Sequence, residues 1–323
     1  MTYSKMWGRL LAVFVMLLSS HSWAASCCGG GSASSLVLPK FSQHMIEGSF
    51  VSEQYDGYWD SAGQWRPDPS GSNLSQYRFN LGYAHRLAAD WQASVSVPYV
   101  FNDNQYGGLD NQSKGLGDAS FSLWYEAFKG PMCVTKINKL SDLLPAAYFG
   151  VTLLTPTGVS PYDDVDSNFD ITGRGMYRLD SHVSIEKSVG AWTGVIKYSF
   201  GKYFERDVNK EYGRYIRPYN KQLGDRETTS VSLGYSHFIP SMDSLTYTLS
   251  YAYLKEAPGE TAGQRDVTSQ IEKRSKSLGV AYSTLDRQWI YKFSWSGALS
   301  DDGQGKNFPT TDIYTLGLAY VYQ

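Results

Sequence analysis

The last residues of the chain alternate without interruption between large apolar and small side chains. The large apolar set is Tyr314, Leu316, Leu318, Tyr320 and Tyr322. The residues between them are Thr315, Gly317, Ala319 and Val321. In an extended strand the two sets would lie on opposite faces. A period of two is that of a β-strand, because successive side chains of a strand point to opposite faces. The sequence therefore predicts a C-terminal strand with one apolar face.

The aromatic end of this strand carries more information than the alternation alone. Gly317, Tyr320 and Tyr322 resemble the β-signal by which outer-membrane β-barrels are recognised for assembly. A soluble β-protein with an ordinary terminal strand shows the same alternation, so other features have to decide between the two.

The N-terminus has the pattern of a secretory signal peptide. Lys5 and Arg9 precede an apolar run over 10–18, and a small-x-small site ends at Ala24. The run is too short to cross a bilayer as a helix. We expect a cleaved signal over 1–25, followed by a Cys-, Gly- and Ser-rich periplasmic leader over 26–39.

Aromatic residues are abundant, with 25 Tyr, 14 Phe and 9 Trp making up 15% of the chain. Tyr and Trp suit the boundary between membrane and water, because one end of each side chain is apolar and the other polar. The net charge is -2 and basic residues form no run, so we expect no nucleic-acid partner.

Segments of alternating hydrophobicity recur along the whole mature chain. Their apolar faces lie at 77–83, 91–101, 119–125, 149–153, 192–200, 231–235, 245–253, 278–282, 289–295 and the C-terminus, with further strands near 40–58 and 170–187. This gives about twelve strands. An even number closes an antiparallel barrel with both ends on one side and leaves no exposed edge.

The predicted connections alternate in length. Long ones cover 57–73, 102–115, 155–169, 206–224 and 258–270, and short ones cover 87–90, 189–191, 239–243 and 285–287. Bacterial outer-membrane barrels have short periplasmic turns and longer external loops. The connection 130–141 is longer than expected for the periplasmic side.

These patterns predict an all-β fold. We expect residues 40–323 to form a closed antiparallel transmembrane β-barrel of about twelve strands in the outer membrane. Its partners would be outer-membrane lipid and lipopolysaccharide, the barrel-assembly machinery and a small-molecule solute.

The faces opposite the apolar ones are polar and would line a hydrated lumen. The candidate lumen charges are Arg78, Arg86, Asp118, Glu126, Arg174 and Lys197. They would either face the permeating solute or pair with one another and fill the barrel. Twelve strands give an interior between that of a side-chain-filled eight-stranded barrel and that of a porin.

Several glycine-containing motifs resemble those of a known family. They are GLGD at 115–118, LTPTG at 154–158, GRGMY at 173–177, SVGAW at 188–192 and YSFG at 198–201. Together they resemble outer-membrane proteins of the phenol-degradation meta-pathway type, a family of transporters. The resemblance implies passage of small solutes, aromatic ones included. Fatty-acid and toluene channels carry a long N-terminal hatch, and the leader 26–39 is too short for a comparable plug.

His182 and Ser184 are spaced as the His-x-Ser pair of outer-membrane lipid hydrolases, in which one residue activates the other. Such enzymes act on the outer leaflet, whereas this pair lies near the short periplasmic turn at Gly190. We expect neither an enzyme nor a cofactor.

One predicted external loop carries oxygen donors at alternate positions, which are Asp164, Asp166, Asn168 and Asp170. Calcium loops use such spacing, but the glycine turn and the closing Glu of a helical calcium loop are missing. We expect a solvated acidic loop and no metal.

The three cysteines leave one unpaired residue, whichever pair forms. Cys27 lies in a lipobox-like context, and Cys27 with Cys28 could bind a soft metal. Cys133 lies in the long connection predicted on the periplasmic side, where disulfides form. We favour a Cys28–Cys133 disulfide that leaves Cys27 available for lipidation.

The sequence thus favours a passive channel or facilitator for small solutes. The alternative is an occluded structural or assembly-linked barrel that presents its loops or its Cys-bearing N-terminus to a partner. A lipid-modifying enzyme ranks third.

Overall fold

Twelve long strands follow one another around a single sheet in the computed structural model, which describes residues 36–131 and 134–322 apart from the side chain of Leu109. They are β1 (His44–Trp59), β2 (Asn73–Ala88), β3 (Trp91–Tyr106), β4 (Ala119–Phe128), β5 (Ala146–Thr155), β6 (Arg178–Val189), β7 (Trp192–Tyr203), β8 (Arg226–Phe238), β9 (Ser244–Glu256), β10 (Ile271–Ser283), β11 (Trp289–Ala298) and β12 (Phe308–Tyr322).

The sheet closes on itself. Strand β1 pairs with β2 along one edge and with β12 along the other, where His44 lies opposite Tyr322 and Tyr55 opposite Thr311. All neighbouring pairs are antiparallel, and no barrel strand is left with a free edge. The predicted closed barrel of about twelve strands is confirmed.

Side chains alternate between the outside and the inside of the barrel, and the apolar ones point outwards. Leu249 is 56% exposed and Phe293 is 46% exposed, although both are large and apolar. The next residues along the chain, Ser250 and Ser294, point into the barrel and are half-buried. An exposed apolar belt around a polar interior is the pattern of a barrel that faces lipid. The predicted assignment of the two faces is confirmed.

The connections alternate in length as predicted. On the side of both ends of the barrel, β2 and β3 are joined by two residues, and so are β6 and β7. The connection between β4 and β5 is the exception on that side, and it contains the 3-10 helix Leu140–Leu143. All connections on the opposite side are longer than the four short turns on this side.

Part of the long-loop side is itself β-structure. The strand Leu109–Leu116 folds back onto β3, and Trp65–Arg66 and Gly305–Lys306 pair with β1 and β10. A separate four-stranded sheet is formed by Arg206–Glu211, Arg214–Gln222, Glu260–Thr261 and Gln264–Arg265. The 3-10 helices Asn168–Asp170 and Val267–Ser269 complete these loops.

Two apolar clusters lie at opposite ends of the barrel. Tyr162, Met176, Tyr203 and Val208 pack together beneath the external loops. The other cluster surrounds Leu38 at the periplasmic end. In the part of the chain that the structure describes, no helix is both long and apolar enough to span a bilayer.

Candidate functional site

The candidate site is a cavity of about 500 Å³ inside the barrel. Its walls come mainly from the inward-facing positions of β1 to β8, which alternate with the lipid-facing positions of the same strands. Nine hydroxyl side chains line it, and these are Ser49, Ser94, Ser96, Ser120, Ser122, Thr152, Ser199, Thr228 and Ser230. Small hydroxyl residues leave the lumen open and keep it hydrated.

A chain of polar contacts connects three neighbouring strands in the cavity wall. Ser122 Oγ lies 2.8 Å from Thr152 Oγ1, which lies 2.9 Å from His182 Nε2. The Trp124 ring stacks on His182 with a centroid distance of 5.2 Å. Gly150 leaves room for that ring, because a Cβ there would lie 2.6 Å from it. This wall therefore presents one aromatic surface among the hydroxyls.

The His182–Ser184 pair does not have the arrangement of a hydrolase. Both side chains point into the barrel, and His182 uses Nε2 to contact Thr152. Between residues 36 and 322, apart from the two that the structure leaves undescribed, no hydrogen bond joins His182 to Ser184. A nucleophile needs its base within hydrogen-bond reach, so the lipid-hydrolase interpretation gains no support from the geometry.

Most charged groups of the lumen are paired with opposite charges. Arg78 Nη2 lies 2.6 Å from Glu53 Oε2, and Lys292 Nζ lies 2.7 Å from Glu47 Oε2. Arg178 contacts Asp180 through Nε at 2.8 Å and Nη2 at 2.9 Å. Lys197 lines the cavity near these groups. Paired charges cancel much of each other's electric field. The polarity of the cavity wall is therefore determined mainly by the hydroxyl groups.

Asp118 and Arg174 hold an external loop over the mouth. Asp118 Oδ2 accepts a hydrogen bond from the Arg174 backbone N–H at 2.7 Å, and Oδ1 accepts one from Gly158 N–H at 3.1 Å. A Cβ at Gly173 would lie 2.2 Å from Asp118 Oδ1, so only glycine fits this approach. Arg174 Nη1 lies 2.9 Å from Glu256 Oε1. These two predicted lumen residues thus anchor the loop between β5 and β6.

Burial affects the pKa values at this mouth. It raises the pKa of the Asp118 carboxyl, and the hydrogen bonds from Arg174 and Gly158 only partly offset the rise. Burial opposes the charge on Arg174, but Glu256 and Tyr203 together outweigh this effect, and the pKa of Arg174 is raised. Both groups lie in the loops outside the barrel strands.

Tyrosines and basic side chains pack together beside the loop that Asp118 holds. The Arg206 guanidinium lies 4.8 Å from the ring centroid of Tyr162 and donates a hydrogen bond to the Gly175 carbonyl. Burial is the main cause that raises the pKa of Tyr162 to about 12. Arg178 lies 5.2 Å from the ring of Tyr203, which is fully buried. Sequence reasoning missed these residues, since they are far apart in the chain and follow no common motif.

Two other predicted lumen charges bind the N-terminal segment of the chain. Glu126 Oε1 lies 2.9 Å from Lys40 Nζ. Arg86 donates to the Ser42 carbonyl from Nε at 2.8 Å and to the Pro39 carbonyl from Nη2 at 3.0 Å. Both side chains therefore belong to the periplasmic end of the lumen.

The acidic loop uses its side chains for local structure. Asp170 Oδ2 accepts from Ser167 N–H at 3.0 Å, Asn168 accepts a hydrogen bond from the Tyr212 hydroxyl, and Asp164 pairs with Lys210. Asp166 N–H also lies 3.3 Å from Asp170 Oδ2. Within the described ranges no group of three or more His, Cys, Asp or Glu side chains could hold a metal ion.

Several predictions fall on residues that the structure does not describe. They are the signal peptide over 1–25, most of the leader 26–39, and the three cysteines Cys27, Cys28 and Cys133. The assembly-signal residues Gly317, Tyr320 and Tyr322 lie in β12, where Tyr320 pairs with Ile46 and Tyr322 with His44.

Comparisons with known proteins support the fold. No family model matches the chain, and no curated protein matches it. The COG4313 outer membrane channel of Pseudomonas putida F1 is 14% identical, with a TM-score of 0.65 over 90% of this chain and 99% of that chain. The β domain of the Bordetella autotransporter BrkA is 10% identical, with a TM-score of 0.51 over 87% of this chain and 100% of that chain.

Likeness at such low identity shows the fold alone. It confirms the fold of outer-membrane barrels and, with the lipid-facing belt, the predicted outer-membrane location. The resemblance to the phenol-degradation type is supported at the level of barrel architecture, and membership of that family stays a prediction.

Proposed function

We propose that this chain is a passive outer-membrane channel for small solutes. The observation that carries the proposal is the hydroxyl-lined cavity inside a closed lipid-facing barrel. A polar, hydrated lumen is what passage of water-soluble molecules requires, and a barrel that only filled a structural role would not need an open interior of this kind. The similar Pseudomonas channel has the same fold and supports the proposal.

The lining favours solutes that carry hydroxyl groups. Six of the nine cavity hydroxyls make no side-chain hydrogen bond within the described ranges, and they are Ser94, Ser96, Ser120, Ser199, Thr228 and Ser230. They bond to whatever fills the lumen. A solute without polar groups would displace the water bound to these hydroxyls and would offer no hydrogen bond in its place. Its binding in the cavity would therefore be unfavourable. Trp124 and Leu154 add apolar surface, so small hydroxylated aromatics belong to the proposed class.

Ion current through single channels tests the solute class. The probes are 4-hydroxybenzoate and benzoate, which differ by one hydroxyl group, and each is added to the protein in planar bilayers. We expect the hydroxylated probe to block the current at lower concentration. Equal block by the two probes would contradict the proposed solute class but not the channel.

A matched pair of variants locates the effect. Ser96 and Ser120 are cross-strand neighbours in the cavity wall. Changing both to Ala removes two hydroxyls and should reduce the difference between the probes. Changing Ser294 and Ser296 to Ala removes two lumen hydroxyls that lie outside the cavity, and should leave the difference in place.

The second candidate function is an occluded barrel that binds a partner through its loops or its N-terminus. One observation favours it, namely that residues 36–39 lie within the periplasmic end of the barrel, with Leu38 only 4% exposed. Single-channel recording separates the two candidates, because an occluded barrel would give no current above the lipid background.

We also propose three partners on the basis of the surface and the C-terminus. Lipid and lipopolysaccharide would cover the apolar belt. The barrel-assembly machinery would recognise the strand that ends with Tyr320 and Tyr322. Copurification of the unfolded C-terminal segment with that machinery, lost when both tyrosines are changed to Ser, would support the last assignment.

A further inference from the structure

The connection between β4 and β5 carries a group of exposed apolar side chains on the periplasmic side. Within residues 134–145, Leu140 is 85% exposed and Leu144 is 57% exposed. Ile137 and Leu143 are exposed as well. Exposed apolar groups of this kind mark a surface that contacts a membrane or another protein.

Hydrogen bonds give these residues a defined backbone conformation. Asp142 Oδ2 accepts hydrogen bonds from the Asn138 N–H at 3.0 Å and from the Lys139 N–H at 3.1 Å. Val134 is buried, and its carbonyl accepts a hydrogen bond from the N–H of Gly190 at 2.7 Å. Gly190 belongs to the turn between β6 and β7. The apolar side chains are therefore held at the surface by a folded segment that is attached to the barrel.

The segment begins where the lipid-facing belt of the barrel ends. Ile185 is an exposed residue of that belt on β6, and Lys187 follows it on the same face of the strand. Lys187 Nζ donates a hydrogen bond to the Leu144 carbonyl at 3.0 Å. Phe128, the last residue of β4, is 66% exposed. Residues 134–145 are therefore continuous with the surface that lipid covers.

Positive charge accompanies the apolar side chains. Lys136 and Lys139 are exposed, and neither ammonium group forms an ion pair with any residue that the structure describes. The acidic residue among them is Asp142, whose carboxylate already bonds to two backbone N–H groups. Lysine can place its apolar stem against lipid and its ammonium group among the headgroups. Apolar side chains beside unpaired lysines are complementary to a membrane surface that carries anionic phospholipid.

We propose that residues 134–145 bind anionic phospholipid in the inner leaflet of the outer membrane. Lys136 and Lys139 contact the phosphate groups of the lipid, and Leu140 and Leu144 lie at the boundary between headgroups and acyl chains. This role accounts for the one long connection on the periplasmic side. The surface is separate from the lumen, so the proposal holds whether or not the barrel conducts.

Photo-crosslinking in vesicles tests the contact. Leu140 is replaced by p-benzoylphenylalanine in the mature protein, which is reconstituted in equal parts of phosphatidylethanolamine and phosphatidylglycerol. After illumination, mass spectrometry of the protein measures the adducts of each lipid. We expect lipid adducts at position 140 in which phosphatidylglycerol exceeds phosphatidylethanolamine. Absence of lipid adducts at position 140, with adducts formed by the same probe at Phe128, would overturn the proposal.

A matched pair of variants tests the role of the two lysines. Lys136→Gln/Lys139→Gln removes both charges beside the probe and should lower the ratio of phosphatidylglycerol to phosphatidylethanolamine adducts by about threefold or more. Lys114→Gln/Lys202→Gln removes the same charge from exposed positions at the external end and should leave the ratio unchanged. Equal ratios in both variants and in the protein that carries the probe alone would overturn the recognition of anionic lipid.

A second probe position and an experiment in cells complete the test. Leu285 is exposed on the short periplasmic turn between β10 and β11, where Asp243 and Asp286 outnumber Arg287. The same probe at Leu285 should show no preference for phosphatidylglycerol, and an equal preference at both positions would overturn a specific role of residues 134–145. In cells, adducts at position 140 with a protein and none with lipid would show that a periplasmic partner covers this surface, which would also overturn the proposal.

Discussion

A charge placed on the lipid face of β9 should destabilise the barrel far more than the same charge one residue further on. Leu249 lies near the middle of this thirteen-residue strand and is 56% exposed. Its register neighbours are Leu233 and Leu278. Leu249→Arg puts a guanidinium among leucines near the bilayer midplane, which costs about 2–4 kcal/mol.

The matched control is Ser250→Arg. Ser250 points inwards and lies between Ser232 and Ser277. An arginine there reaches the hydrated lumen, and we expect a loss below about 1 kcal/mol. The predicted difference between the two variants is at least about 1 kcal/mol, which corresponds to a factor of about five or more in the unfolding equilibrium constant.

The assay is reversible unfolding by guanidinium chloride in lipid vesicles, followed by tryptophan fluorescence and far-UV circular dichroism. Parallel slopes for the two variants and the wild type would show that the midpoints report stability. Equal losses for Leu249→Arg and Ser250→Arg would mean that the two faces of the barrel are not lipid and water, and would refute the alternation on which the fold rests.

Two further predictions concern the C-terminal strand and the loop over the mouth. Changing Tyr320 and Tyr322 to Ser should leave the chain in the periplasm as a protease-sensitive species, which cell fractionation and immunoblotting would detect; normal membrane levels would reduce the motif to an ordinary strand end. Burial raises the pKa of Asp118, so the folded chain holds that proton more tightly than the unfolded chain, and its contribution to stability is lost as pH rises through the raised pKa. As the pH rises above about 4, the usual pKa of an aspartate, the unfolding midpoint should therefore fall more steeply in the wild type than in Asp118→Asn. Identical pH profiles of the two proteins would contradict a raised pKa for Asp118.

The number of strands and the direction of their side chains could be predicted from the sequence because both depend on local alternation. Polarity changes from each residue to the next, as from Phe293 to Ser294. A shift of one residue in the pairing register would therefore exchange the apolar and polar faces. The positions of the loops could be predicted from the same pattern, because the loops are the stretches between the alternating segments.

The pairing of charges could not be predicted, because it depends on which strands become neighbours. Arg86 and Glu126 were expected in the lumen, and the structure shows that they hold the N-terminal segment. Lys40, the partner of Glu126, lies far away in sequence and carries no signal of its own. Contacts such as that of Leu36 with Gly82 depend on the closed barrel and leave no periodic pattern in the sequence.

The central claim, that the barrel conducts, is tested most directly by single-channel recording of the detergent-purified full-length mature protein in planar lipid bilayers. We expect discrete current steps whose size grows with salt concentration. Absence of steps above the lipid background, with far-UV circular dichroism showing that the protein is folded, would contradict the channel function.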